Sequence, residues 1–321
     1  MKRLWWIAAL ASACLCLAAC GGQPERPVVA PTGSTAPSVT VTTVATTATT
    51  TAKPTTATTA PQEERPHLGL YEADTLTALY EQDAAVRIYP ASLVKITTAY
   101  TALKYLSPRT EVKVGTELSL VKKGSSLCYI QKGHRLTLYD LLTGLLMSSG
   151  NDAAYTVAVT VAREVTEQPE LSDADTVAYF CQLMNETAAQ LGATDTHYVN
   201  PEGWDDQRQY TTVQDLARIT SKAMQVPEIR EIVSCPQKTV TFLSGQHITW
   251  KNTNSLLNSS SKYYYPNATG FKTGSTSRAG KCLVATVQQG DKAYIAIVTD
   301  CESDGDRYRT MHALLDRLPP S

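Results

Sequence analysis

The 321-residue chain lacks an excess of charge of either sign, because 29 Lys and Arg residues are balanced by 30 Asp and Glu residues. A formal net charge of −1 gives no electrostatic reason to expect nucleic acid or an anionic membrane surface as a partner. Charged residues are scarce in one segment in particular: residues 31–60 contain 14 Thr and a single charged residue, Lys53.

The chain also lacks the cysteine and histidine spacing of a metal site. Five cysteines follow Cys20, none of them in a Cys-x-x-Cys pair, and the five His residues are scattered. We therefore expect neither a metal nor another cofactor. Because five is an odd number, at least one of these thiols has no partner within the chain.

No apolar run is long enough for an ordinary membrane span, but the first 20 residues have the pattern of a lipoprotein signal peptide. Lys2 and Arg3 precede 16 uncharged residues, Leu4 to Ala19, where a spanning helix needs about 20. The run ends in Leu-Ala-Ala-Cys, which predicts cleavage after residue 19 and lipid attachment to Cys20. An ordinary cleavage site and an uncleaved anchor are the alternatives.

Three segments follow from this pattern. Residues 1–19 are the predicted signal peptide, and residues 20–66 are a lipid-anchored, Thr-rich linker that we expect to be disordered. Residues 67–321 are long enough for one large core.

Strand patterns occur at both ends of this folded part, and helical patterns lie between them. The predicted strands are 67–73, 75–80, 269–276, 281–288 and 292–299. The predicted helices are 93–106, 137–148, 152–164, 177–191 and 211–225. This order predicts an α+β fold in which one antiparallel sheet, built from both chain ends, packs against a helical region.

The last two predicted strands form a hairpin around Gly290-Asp291 that carries Cys282 and Cys301. A two-residue loop pairs Cys282 with Thr299, so that Cys301 lies diagonally on the same face. Diagonal Cβ atoms are up to roughly 7 Å apart, against about 3.8 Å in a disulfide. We therefore predict that both thiols are free.

Ser-x-x-Lys occurs three times, at Ser92, Ser119 and Ser259, so the motif alone is weak. Only Ser92 leads into an apolar helical run, directly after Pro90, which favours a helix start. Residues i and i+3 are neighbours on a helix, so Lys95 would lie beside the Ser92 hydroxyl and could remove its proton if burial lowers the pKa of the lysine.

Two further motifs follow Ser92 in the chain. Ser149-Gly150-Asn151 is the only Ser-x-Asn and lies between two predicted helices, where it could point into a cleft or merely cap the second helix. Lys272-Thr273-Gly274 is the only Lys-Thr-Gly and lies on a predicted strand, where a glycine would let a substrate backbone approach.

Together the motifs resemble the serine penicillin-recognising enzymes, and more closely the low-molecular-mass D-alanyl-D-alanine carboxypeptidases of peptidase S11 type. The resemblance extends over most of residues 67–318. The other matching segments are Gly124–Leu127, Thr196–Tyr198, Asn200–Gly203, Tyr210–Thr212, Asp215–Ala217 and Ala279-Gly280. It implies a β-lactamase/transpeptidase-like fold with a five-stranded antiparallel sheet. Combined with the predicted lipid at Cys20, it places the enzyme at the extracytoplasmic face of a bacterial membrane.

The resemblance also implies a role for each motif residue. Ser92 would attack the penultimate D-Ala carbonyl of a peptidoglycan stem peptide, with Lys95 as general base and Ser149 as proton relay. Asn151 and Lys272 would complete the catalytic group, and β-lactams would acylate Ser92 as covalent inhibitors. The expected substrate-binding residues are Thr273, Gly274, Ser275 and Arg307, with the backbone N–H groups of Ser92 and Ser275 as oxyanion hole.

Two other functions compete with this one. A class A-like β-lactamase is disfavoured because Gly150 occupies the middle of Ser-x-Asn and no Glu-x-x-Leu-Asn occurs. A non-catalytic penicillin-binding sensor is disfavoured because every catalytic position is filled. One departure from the family is Gln209, where relatives often have His, while His197 is a separate match that we expect to be structural.

Overall fold

A computed structural model of the chain describes residues 66–320. The predicted signal peptide, the lipidation site at Cys20 and all but the last residue of the Thr-rich linker lie outside these residues. Within them, no helix combines the length and the apolar character needed to cross a bilayer.

The central feature is a five-stranded antiparallel sheet built from both ends of the folded part. Its strands are β1 (His67–Glu72), β2 (Ala78–Gln82), β7 (Ala268–Thr276), β8 (Gly280–Gln289) and β9 (Lys292–Cys301). The spatial order is β2-β1-β9-β8-β7, with every neighbouring pair antiparallel. The predicted sheet and the α+β class are confirmed.

Helices and two small antiparallel strand pairs fill the middle of the chain. The helices are α1 (Val94–Tyr105), α2 (Leu138–Met147), α3 (Asn151–Thr166), α4 (Asp173–Gln190), α5 (Val213–Ala223) and α6 (Pro227–Ser234). β3 (Glu111–Lys113) pairs antiparallel with β4 (Arg135–Thr137), and β5 (Gln237–Thr241) forms a hairpin with β6 (His247–Lys251). The five predicted helices are confirmed to within a few residues, and Cys181 is buried in α4 as expected.

The prediction that strands close the domain was wrong, because a seventh helix, α7 (Asp304–Leu315), follows β9. Its N-terminus is capped by Ser303, whose hydroxyl accepts from the Asp306 amide at 3.1 Å. Tyr308, Met311 and Leu315 are buried at helical spacing, a signal that the sequence analysis missed.

The sheet is covered on both faces, so alternate residues of its strands enter two separate cores. On β8, Cys282 and Val284 belong to the core shared with α1–α6, whereas Leu283 and Ala285 belong to the core shared with α7. This period of two is the geometry of a strand. It explains why these strands are almost continuously apolar rather than alternately polar.

The prediction that Cys282 and Cys301 lie on the same face of the hairpin was wrong, because the pairing of β8 with β9 contains a bulge. The register expected from the two-residue loop holds from Gln289–Lys292 to Leu283–Val298, but Cys301 then lies opposite Lys281. The extra residue, near Asp300 with φ of 58°, moves Cys301 to the α7 face while Cys282 stays on the other face. Both thiols are free, as predicted, but the sheet itself separates them.

Candidate active site

Ser92 lies in a single 3₁₀ turn, Ala91–Leu93, that leads directly into α1. Lys95 follows one turn later, and its Nζ lies 3.0 Å from Ser92 Oγ. Lys95 is completely buried and also donates to Asn151 Oδ1 at 2.8 Å and to the Glu202 carbonyl at 2.6 Å. The helix therefore presents an ordered amine to a partly exposed hydroxyl, as the i, i+3 spacing predicts.

Burial makes Lys95 a plausible base at mild pH. Desolvation lowers the pKa of Lys95 from 10.5 to about 8, while the carboxylates of Glu202 and Asp152 oppose that change. An amine with such a pKa is neutral in a substantial fraction of molecules near neutrality, which is what removal of a serine proton requires.

The other two Ser-x-x-Lys motifs have a different environment. Ser119 and Ser259 are both exposed. Lys122 lies over the ring of Trp204 and Lys262 over the ring of Tyr263, at 5.1 and 5.0 Å from the ring centres. Of the three serines, Ser92 is the one beside a buried lysine.

The Ser149–Asn151 segment forms the junction between α2 and α3. The N-cap of α3 is Gly150, which has no side chain, so the helix has no side-chain cap from this segment. The Asn151 side chain points instead to Lys95 and Glu202, so capping does not account for this residue. Ser149 is buried in a left-handed conformation with φ of 57°.

Strand β7 places the third motif beside the same site. Lys272 is completely buried and donates to the Thr273 carbonyl at 2.9 Å. Burial, followed by the positive charges of Lys95 and Arg307, holds the pKa of Lys272 well below 10.5. The positive charge of Lys95 therefore disfavours the protonated form of Lys272.

The structure gives a second physical reason for a glycine at position 274, besides the predicted approach of a substrate backbone. A Cβ at this position would lie 3.1 Å from Ala91 Cβ and 3.3 Å from Ser92 N. The absent side chain thus lets the nucleophile turn pack against β7, in addition to any approach by substrate.

Arg307 lies in the first turn of α7 and is almost fully buried. Its Nη1 lies 3.3 Å from the carbonyl oxygens of Gly274 and Cys282, and its Nη2 lies 2.8 Å from Asp304 Oδ1. The guanidinium therefore binds the backbone of β7 and β8. Its predicted contact with a substrate carboxylate stays a prediction.

Glu202 is a site residue that belongs to none of the three motifs. It is 1% exposed, and its carboxylate accepts hydrogen bonds from Asn151 Nδ2 and, at 2.9 Å, from the Tyr155 hydroxyl. Burial raises the pKa of Glu202, and the charge of Lys95 opposes this. A single acidic residue in a loop gave no signal of such contacts.

Gln209 is buried and braces the loop that carries Glu202. Its Oε1 accepts from the amides of Val199 and Asn200, at 3.0 and 3.1 Å. His197 stacks on Tyr210, with ring centres 5.9 Å apart, which agrees with a structural role.

These elements enclose a cleft of about 270 Å³. Ser92, Asn151, Glu202 and Ser275 line it, together with the segments 124–126, 203–205 and 276–277. Among the described residues, no group of three or more His, Cys, Asp and Glu side chains could hold a metal ion. The arrangement offers a nucleophile, a buried amine and backbone N–H groups, the parts that acyl transfer needs.

Comparisons with known proteins agree on one family. The family model described as Peptidase_S11, D-alanyl-D-alanine carboxypeptidase, matches residues 54–303. A D-alanyl-D-alanine carboxypeptidase of Streptomyces sp. (strain K15) is 36% identical over 169 residues, covering 51% of this chain and 54% of that protein. Carboxypeptidase DacC of Escherichia coli is 34% identical over 183 residues, covering 56% of this chain and 40% of that protein. The matched segments thus span about half or less of these curated relatives.

Solved structures match over a larger share. The DD-transpeptidase of Streptomyces K15 has a TM-score of 0.71 at 30% identity and covers 78% of this chain and 95% of that one. Penicillin-binding protein D2 of Listeria monocytogenes, in its ampicillin-bound form, has a TM-score of 0.63 at 29% identity, again over 78% of this chain and 95% of that one. The fold around the cleft is therefore that of the penicillin-recognising enzymes.

Proposed function

The chain belongs to the Peptidase_S11 family of D-alanyl-D-alanine carboxypeptidases, and we propose that it removes the terminal D-Ala from peptidoglycan stem pentapeptides. The observation that carries this proposal is the 3.0 Å contact between Ser92 Oγ and the fully buried Nζ of Lys95. A serine hydroxyl becomes an effective nucleophile only when such a base is within hydrogen-bond reach.

In the first step, neutral Lys95 takes the Ser92 proton while Ser92 Oγ bonds to the carbonyl carbon of the penultimate D-Ala. The carbonyl oxygen becomes an oxyanion, held by the backbone N–H groups of Ser92 and Ser275. Each such donor contributes about 3–4 kcal/mol to transition-state stabilisation. The C–N bond then breaks as Ser149 passes a proton to the departing D-Ala amine and receives one from Lys95, which leaves Lys95 neutral again.

The same groups hold the substrate. Asn151 binds its backbone amide, Lys272 keeps the site electropositive, and Thr273 with Gly274 contacts the end that carries the terminal carboxylate. Arg307 supports this end, either through the backbone of β7 or by direct contact with the carboxylate. Positioning of this kind supplies much of the rate enhancement in acyl transfer.

In the second step, water attacks the ester carbonyl and Lys95 takes its proton. Lys95 returns this proton to Ser92 Oγ as the ester bond breaks and the shortened peptide leaves. A β-lactam would open on Ser92 in the first step and leave an ester that hydrolyses slowly. The ampicillin-bound form of the Listeria relative supports this expectation.

The decisive experiment measures D-Ala release from a stem-pentapeptide analogue beside a gel of labelling by a fluorescent penicillin. We expect release of D-Ala together with persistent labelling. Rapid loss of the label with hydrolysis of the penicillin would indicate a β-lactamase, and labelling without D-Ala release would indicate a sensor. Either result would overturn the carboxypeptidase function.

We also propose that Cys20 carries the lipid that anchors the enzyme at the extracytoplasmic face of the membrane. The support is the sequence pattern of residues 1–20. Cys20→Ala should move the protein from the membrane to the soluble fraction, while the matched variant Cys16→Ala should stay anchored. Retention of Cys20→Ala in the membrane would favour an uncleaved helix instead.

A further inference from the structure

Glu202 accepts hydrogen bonds from two residues beside the nucleophile, Lys95 and Asn151. Its backbone carbonyl accepts from Lys95 Nζ at 2.6 Å, and its carboxylate accepts from Asn151 Nδ2. The second carboxylate oxygen accepts from the Tyr155 hydroxyl, which comes from the next turn of α3. Both oxygens therefore act as acceptors, as an ionised carboxylate does.

We propose that Glu202 is a positioning residue of this site: its carboxylate holds the Asn151 amide with the oxygen toward Lys95 and places a negative charge beside that lysine. This role rests on one part of the proposed function, the part in which Lys95 is the base for acylation of Ser92.

The orientation of Asn151 follows from the chemistry of its two neighbours. A side-chain amide has one oxygen that accepts and one NH₂ group that donates. The amine of Lys95 donates to the amide oxygen at 2.8 Å, and the carboxylate of Glu202 can only accept from the NH₂ group. An acceptor on one side and a donor on the other select one of the two amide orientations. Without the carboxylate, the amide can rotate and turn its NH₂ group toward Lys95.

The charge of Glu202 also affects the pH range in which Lys95 is neutral. The titratable groups that act on Lys95 are Glu202, Asp152, the Cys128 thiol and, from β7, Lys272. Glu202 is the largest influence that raises the pKa of Lys95 against desolvation. Asp152 is bound to the backbone amides of the neighbouring loop, including that of Cys128 at 3.0 Å.

The groups that act on Glu202 complete this network. Lys95, Lys122, Tyr155 and Asn151 each favour its ionised form, and desolvation opposes it. Removal of the negative charge would leave desolvation less opposed at Lys95, so the pKa of Lys95 would fall from about 8 to a lower value. The neutral base would then be available at lower pH.

The test is the pH dependence of acylation by a fluorescent penicillin in Glu202→Gln. We expect the acidic limb of the rate profile to move to lower pH by about 1–2 units, as the loss of a neighbouring opposite charge implies. We also expect the plateau rate to fall about 10-fold or more, because the amide of Asn151 is no longer held in one orientation.

Glu117→Gln is the matched control. Glu117 is also buried and also contacts α3, where it accepts from the Thr156 hydroxyl at 2.9 Å, but it is not among the groups that act on Lys95. This variant should keep the wild-type acidic limb. A wild-type limb in Glu202→Gln, or an equal shift in Glu117→Gln, would overturn the role of Glu202.

Glu202→Asp keeps the negative charge but shortens the side chain. This variant also provides the test if Glu202→Gln does not fold. It should keep the acidic limb near its wild-type position but lower the plateau, whereas a wild-type plateau would overturn the positioning role. Acylation by penicillin does not depend on D-Ala release. An enzyme that releases no D-Ala would therefore refute the carboxypeptidase function and still report the effect of Glu202.

Discussion

Replacement of Gly203 by alanine should displace the nucleophile more than it destabilises the fold. Gly203 has φ of +98°, and a Cβ there would lie 1.9 Å from the Ala91 carbonyl oxygen and 2.8 Å from Ser92 N. Ordinary contact begins at 3.4 Å, so the two backbone segments would have to separate by roughly 1.5 Å. The obstacle is backbone on both sides, so no side-chain rotation can relieve it.

The expected cost has two parts. A left-handed backbone costs a non-glycine residue about 1–2 kcal/mol. Overpacking of a buried contact adds about 1–3 kcal/mol. The total of about 2–5 kcal/mol is below the 5–15 kcal/mol by which native domains are typically stable, so the variant should still fold.

The effect on catalysis should be larger than the effect on folding. A displacement of about 1 Å in a catalytic group can reduce the rate 10²-fold. The turn that would move carries Ser92 itself and the N–H group proposed for the oxyanion hole. We therefore expect acylation by a fluorescent penicillin to slow by about 100-fold or more in Gly203→Ala.

Gly245→Ala is the control, because Gly245 has nearly the same φ, +93°, but no atom within 4 Å of its Cβ position. This variant should lose only the backbone part of the stability, measured by denaturant unfolding, and should acylate at the wild-type rate. The reasoning would be refuted if Gly203→Ala acylated normally and unfolded no more easily than Gly245→Ala.

Three further predictions concern the motif residues. Ser92→Ala should abolish covalent penicillin labelling while Ser119→Ala and Ser259→Ala keep it; labelling of Ser92→Ala would remove the nucleophile assignment. Lys272→Met should slow acylation by about 100-fold yet raise the unfolding free energy at neutral pH. The unfolded chain binds more protons than the native chain between the depressed pKa of Lys272 and 10.5, so wild-type stability rises with pH in that window. If the unfolding free energy of Lys272→Met still rose with pH in that window, the rise could not be attributed to the depressed pKa of Lys272. Arg307→Met should cost roughly 1–3 kcal/mol of stability by leaving strand carbonyls without their donor; unchanged stability with a raised KM would instead indicate direct binding of the substrate carboxylate.

Much of the fold could be predicted because its signals are local. The helices carry apolar residues at helical spacing and the closing hairpin carries strand residues around Gly290-Asp291, so each element is encoded within its own segment. The contact between Ser92 and Lys95 is equally local, since one turn of helix sets it. The wrong details were the face of Cys301 and the end of the domain, where a bulge and α7 intervene.

The remaining features of the site depend on contacts between distant segments. The sequence by itself determined which residues could do the chemistry, because residue type and local spacing decide what a short motif can form. Only the tertiary structure decided that Glu202 reaches Asn151, that Gly274 packs against the Ala91–Leu93 turn, and that Arg307 binds the backbone of β7. Side-chain direction and burial arise when segments far apart in the chain meet, and burial is what lowers the pKa of Lys95.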